Sequence, residues 1–129
     1  MKFLCVVFVD EAKMAKLSRN EAQTLDDASL DHDSTLRNTG HLLAAQALQP
    51  ARTAATVKVR KGKVIVTDGP FIETKEQVGG FLLIEAKDRD EAIKLMSKVP
   101  VASYGTIEVR PVQELVHRST GTTTAREQR

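Results

Sequence analysis

A chain of 129 residues, 41% hydrophobic and 28% charged, suits one soluble domain with a single core. Residues 117–129 hold three arginines and one glutamate, so they carry the whole net charge of +2 and leave a neutral body. That balance, with one Tyr, four Phe and no Trp, argues against a nucleic-acid surface and against base stacking.

No stretch approaches the roughly 18 apolar residues of a membrane span, so no membrane partner is expected. The single cysteine, Cys5, rules out a disulfide within the chain and fits a reducing compartment; the expected location is cytoplasmic. The opening text MKFLCVVFVDEAK meets Asp10 and Glu11 where a leader would have a small-residue cleavage site. Phe3 to Val9 is apolar on both alternating faces and reads as a central strand covered on both sides.

Ser18-Arg19-Asn20-Glu21 is a capping-box pattern that starts a helix, and Gly40 ends it. His41 to Leu48 reads as a second strand, closed by Gln49-Pro50. Thr56–Arg60 and Lys63–Thr67 alternate apolar with polar residues about Lys61-Gly62, a hairpin signal. A charged loop follows, TDGPFIETKEQVGGF from Thr67 to Phe81, and a strand resumes from Gly80 to Ala86. Asp88-Arg89-Asp90-Glu91 starts a second helix that Pro100 stops, and Thr106 to Val112 is the last strand. Residues 117–129 lack periodicity and are expected to be a disordered tail, leaving residues 1–116 as the domain.

The order β-α-β, hairpin, β-α-β is an α+β, ferredoxin-like split βαβ plan with an inserted β-hairpin, both helices lying on one face of an antiparallel sheet. Helices on one face leave half of the apolar first strand uncovered. A second copy of the sheet is the economical cover, and a homodimer with sheets face to face is expected.

The text VTDGPFIETKEQVGGFLLIEAKDRDEAI, followed by GTIEVRPV, resembles the DGPF branch of the YCII-related (YciI-like) proteins. The resemblance runs from about Lys2 to Val112 and implies a dimeric α/β barrel of ferredoxin-like subunits. For function it implies a small enzyme using a His–Asp pair in YciI-like proteins. In DGPF members it implies a link to sigma-factor-dependent transcription. The pair does not transfer: Ser29 stands where the helix histidine is expected, His32 lies three residues later, and LQPAR holds no acid.

The residues leave these readings open. Turn chemistry accounts for Asp68-Gly69-Pro70, with Asp68 accepting backbone N–H bonds and Phe71 anchoring the loop to the core. It does not require Glu73, Lys75 or Glu76. If those converge, Asp68, Glu73 and Glu76 are carboxylates for acid–base work and Lys75 holds an anion. Gly79 and Gly80 permit close backbone approach to a ligand or a second subunit. Glu108 and Arg110 on the last strand are either an interfacial ion pair or the lining of a site for a small anionic ligand. His32, between Asp31 and Asp33, is a solvated histidine or a general base. Without CxxC or HExxH, no metal and no cofactor are expected.

Two broad functions therefore stand: a small-molecule binder or minor enzyme with its pocket between the DGPF loop and the dimer's sheet face, or a noncatalytic regulatory module tied to a transcription-related protein. A purely architectural loop that locks dimer register is a third. Whether the protein is an enzyme, the residues leave open.

Overall fold

The computed structural model describes residues 1–124. Six strands, β1 (Lys2–Asp10), β2 (Leu42–Ala47), β3 (Ala55–Arg60), β4 (Lys63–Asp68), β5 (Glu76–Glu85) and β6 (Gly105–Pro111), alternate with helices α1 (Glu11–Met14), α2 (Arg19–Asn38) and α3 (Arg89–Met96). Strands β2-β5-β1-β6 form an antiparallel sheet in that order, and β3-β4 form a separate hairpin. With the hairpin set aside, the order is that of a ferredoxin-like fold, with β1 and β5 central.

The expected cap signals form. Ser18 Oγ accepts from the Glu21 amide and Glu21 Oε1 accepts from the Ser18 amide, both at 3.0 Å. Asp88 caps α3 by accepting from the Glu91 amide at 2.9 Å, while Glu91 reaches the Lys87 amide. Gly40, at φ +82°, closes the end of α2. Three short features escape the periodicity: α1, capped by Asp10, and 3₁₀ turns at Ala51–Thr53 and at Pro100–Ser103, where Pro100 redirects the chain.

One face of the sheet carries the core. Phe3, Cys5 and Val7 of β1 and Leu82 and Ile84 of β5 meet Leu36 of α2 and Ala92 and Met96 of α3. Burial pushes the Cys5 thiol up to about 11. Among the described residues no helix lies over the other face. There Leu4, Val6 and Phe8 lie beside Leu83, Phe81 and Val78, and beside Arg110, Glu108 and Thr106, and they remain exposed or half-buried.

Strand β5 begins at Glu76, ahead of the expected Gly80, so Glu76 and Gly79 join Gly80 in the sheet and do not belong to the loop. A bulge between Val7 and Phe8 accommodates the extra residue. The close approach expected of the two glycines, to a ligand or a second subunit, is instead to the neighbouring strands β1 and β2 of the same sheet. A Cβ on Gly80 would sit 2.7 Å from the Gln46 carbonyl of β2, and one on Gly79 would sit 2.9 Å from Val9 Cγ2.

Residues 117–124, where a disordered tail was expected to begin, fold back on themselves. Val116 bridges Thr123, and His117 Nδ1 accepts from the Ser119 and Thr120 amides at 3.3 Å. The rest of that expectation falls on residues 125–129, outside the described residues.

Gly80→Ala presses on backbone that cannot swing away, whereas Gly79→Ala presses on a valine side chain that can. In urea denaturation Gly80→Ala should cost about 1–3 kcal/mol and Gly79→Ala distinctly less.

Candidate functional site

At one end of the sheet β1 and β2 stop and β5 and β6 begin. The DGPF loop, α1 and the 3₁₀ turn at Ala51–Thr53 gather there around an open cleft of about 630 Å³. Its lining includes Asp10 and Glu11, Arg52, Asp68 and Gly69, and Glu73 and Lys75.

Asp10 is the buried member, at 7% exposure, and by strand alternation it continues the row Leu4, Val6, Phe8 of the helix-free face. Its Oδ1 accepts from the Ala12 and Lys13 amides at 3.1 and 3.3 Å, which fixes the carboxylate as the α1 cap. Its Oδ2 is directed toward Lys75 Nζ at 4.0 Å, and the Lys75 side chain is 79% exposed. Glu11 is occupied in tying the 3₁₀ turn, both its oxygens accepting from the Ala51 amide at 3.2–3.3 Å. That bond draws Arg52 to the cleft wall.

The turn chemistry of the DGPF loop differs from the expected form. Asp68 accepts no backbone N–H among the described residues. Instead the Gly69 amide donates to the Ala54 carbonyl at 2.7 Å and Thr56 Oγ1 donates to the Gly69 carbonyl at 2.9 Å. Gly69, at φ +96°, is in a conformation only glycine adopts without strain. The hairpin thus holds the turn from outside and leaves the Asp68 carboxylate facing the cleft. Phe71 is not an anchor in the core: it is 69% exposed and stacks under Lys58 Nζ, 5.0 Å from the ring centroid.

Of the residues singled out in the sequence, Asp68, Glu73 and Lys75 come together here. Glu76 sits beside them in β5, opposite Asp10, and accepts from Thr106 Oγ1 at 3.2 Å. Glu108 and Arg110 do not join. They pair with each other at 2.6 Å on the edge strand, and Arg110 stands opposite Leu4. Asp10 is six residue steps along β1 from Leu4, about 20 Å at strand rise. Gly79 and Gly80 serve strand packing.

His32 is also elsewhere. It lies on α2, half-buried, with Nδ1 enclosed and without a hydrogen-bond partner among the described residues, and it senses the charges of Asp33 and Lys98. His41 Nδ1 engages the Glu85 carbonyl at 2.8 Å. Asp10, Glu11 and Arg52 were not anticipated. The available signals were an acid ending a strand that is apolar throughout, and an arginine just after the proline that closes β2. No group of three or more His, Cys, Asp or Glu side chains among the described residues could hold a metal ion.

Among the described residues the arrangement leaves two carboxylates, Asp68 and Glu73, and one cation, Arg52, without a side-chain partner, around a buried carboxylate that Lys75 approaches at 4.0 Å. Arg52 and Lys75 can hold an anionic group, and Asp10 can accept a proton or a hydroxyl hydrogen bond.

The YCII-related domain model matches residues 1–116. An uncharacterized protein of Rhizobium meliloti (strain 1021) is 44% identical over 75 residues, which is 57% of this chain and 60% of that protein. The match thus spans less than two thirds of that relative's length. Among solved structures, a 5-chloro-2-hydroxyhydroquinone dehydrochlorinase from Burkholderia phenoliruptrix AC1100, in complex with 2,5-dihydroxybenzoquinone, superposes with a TM-score of 0.49 at 17% identity, over 89% of this chain and 96% of that one. Among the described residues no helix is long and apolar enough to cross a membrane.

Burial lowers the affinity of His32 for a proton below the ordinary histidine value; the Asp33 carboxylate opposes this and Lys98 adds to it. A depressed histidine favours the neutral form in the fold, so stability should fall as pH drops through about 6.5, where the unfolded chain takes up the proton first. Urea midpoints at about pH 7 and about pH 5.5 should show a smaller loss for His32→Gln than for wild type. Equal losses would contradict the assignment.

Proposed function

The chain belongs to the YCII-related family, and from that premise we propose that it is a small-molecule-binding protein of the DGPF branch. Its site is the cleft between the DGPF loop, the end of β1 and the Ala51–Thr53 turn. The observation that carries the reading is Asp10: a carboxylate nearly withdrawn from water, clamped on one oxygen and directed by the other toward an exposed lysine in an open cleft. A purely structural cap needs neither Lys75 nor a cleft.

The ligand this set suits is small and polar, with an anionic group for Arg52 and Lys75 and a hydroxyl or acidic C–H for Asp10. Asp10 is in place to take a proton from such a ligand, which gives the site the outline of a minor acid–base enzyme. Asp68 and Glu73 rim the same cleft and favour ligands that also present donors.

The site adjoins the end of the helix-free sheet face, and the homodimer belongs to the same proposal. Leu4 and Val78 are exposed on that face, and Val6, Phe8, Phe81 and Leu83 are half-exposed, which is the apolar surface a second sheet would cover. The reading of a noncatalytic module tied to sigma-factor-dependent transcription draws its support from the hairpin. Its residues Lys58, Arg60, Lys61 and Lys63 stand exposed.

Thermal stabilisation by inorganic phosphate and a panel of small carboxylates and hydroxy acids tests the site. A ligand at 100 times its Kd should stabilise wild type by about 2.7 kcal/mol. Lys75→Ala should leave the unliganded melting temperature unchanged and weaken the ligand about tenfold or more. Arg110→Ala, outside the cleft, should bind as wild type does. A ligand lost with Arg110→Ala but kept with Lys75→Ala would move the site to the sheet face and overturn this reading.

A further inference from the structure

The hairpin β3–β4 is the least explained part of the molecule. Its Lys61-Gly62 turn has both residues at positive φ, 50° and 75°, the type I′ geometry that matches strand twist. In its register Val57 stands opposite Val66 and Val59 opposite Val64, so four valines share one face. Lys58, Ile65, Arg60 and Lys63 share the other. The valines are 57–66% exposed, and of β3 and β4 only Thr56 is even half-buried. A two-stranded hairpin that touches little else is marginal in water, and a face of four exposed valines adds to the cost.

We propose that the β3–β4 hairpin is an arm whose valine face packs on a second copy of this chain, as part of the same interface as the helix-free sheet face. Area favours this occupant. Four strands averaging about eight residues give a sheet face of about 19 Å by about 26 Å, or about 500 Å². Specific interfaces cover about 600–1,000 Å² per partner, so the sheet face alone falls short. Two six-residue strands add about 200 Å² and bring the total within range. A nucleic acid or an acidic protein would engage the opposite, basic face and leave the valines wet. A second copy uses the valine face and keeps Lys58, Arg60 and Lys63 in water. Because Asp68 and Gly69 form both the arm's root and a wall of the cleft, an arm held by the partner also holds that wall in place.

The inference rests on the homodimer reading, and the test separates the two. Sedimentation equilibrium of the full chain should give a dimer, with the Val64→Lys/Val66→Lys double variant dissociating at least 100-fold more readily. A wild type that is monomeric at every concentration overturns both readings. A double variant that dimerises as tightly as wild type overturns the arm alone. Hydrogen exchange on wild type provides a readout independent of the variant's folding. Amides of residues 55–68 should become more protected as protein concentration rises through the dimer range. Exchange there that ignores concentration would show a different occupant, or none, and the proposal would fail.

Discussion

Strand β1 is the constraint on which the rest depends. It is central in its sheet, bonded on both sides by antiparallel neighbours, and apolar on both of its faces. One face is satisfied within the chain: Phe3, Cys5 and Val7 are buried under α2 and α3. The other has no cover of its own, because both crossover helices lie on the same side, as right-handed connections of this order require. An unpaid hydrophobic face is thereby built into the topology, whatever the loops do.

The same strand sets the location of the candidate site. Its apolar run ends in an acid whose side chain must face either the core or the helix-free side. Asp10 is tolerated there because two amides of α1 offset its desolvation, while Lys75, exposed and 4.0 Å away, adds little. The DGPF loop then has one place to go. Its root is fixed by Ala54 and Thr56 of the hairpin and its far end by the start of β5 opposite Asp10, so Lys75 is delivered to the carboxylate. The site is a consequence of strand ends meeting, which explains why its members come from four separate segments.

Much of this was legible in the residues. The capping boxes at Ser18 and Asp88, the Lys61-Gly62 turn and the two-faced first strand each depend on neighbours a few positions away. Such local rules led to the ferredoxin-like order. What escaped depends on distance through space. Phe71 read as a core anchor because an aromatic in a loop usually is one, but Lys58, across the hairpin, offers it a cation instead. Asp68 read as the acceptor that holds its own turn, a role that falls to backbone and threonine from β3. Arg110 read as a site residue because its face was correct; its position along the strand, about 20 Å from the cleft, follows only from the sheet register. Asp10 and Arg52 stand outside the charged loop, and only the fold brings them to it.

Cys5 has a practical meaning beyond packing. With its thiol pushed up to about 11 by burial and its side chain fully enclosed, it stays protonated near neutral pH and out of reach of solvent. Alkylating and spin-label reagents should pass it by in the native protein. The chain is therefore a blank background for site-directed labelling: one cysteine placed on the surface would be the sole reactive thiol, with no need to remove the native one.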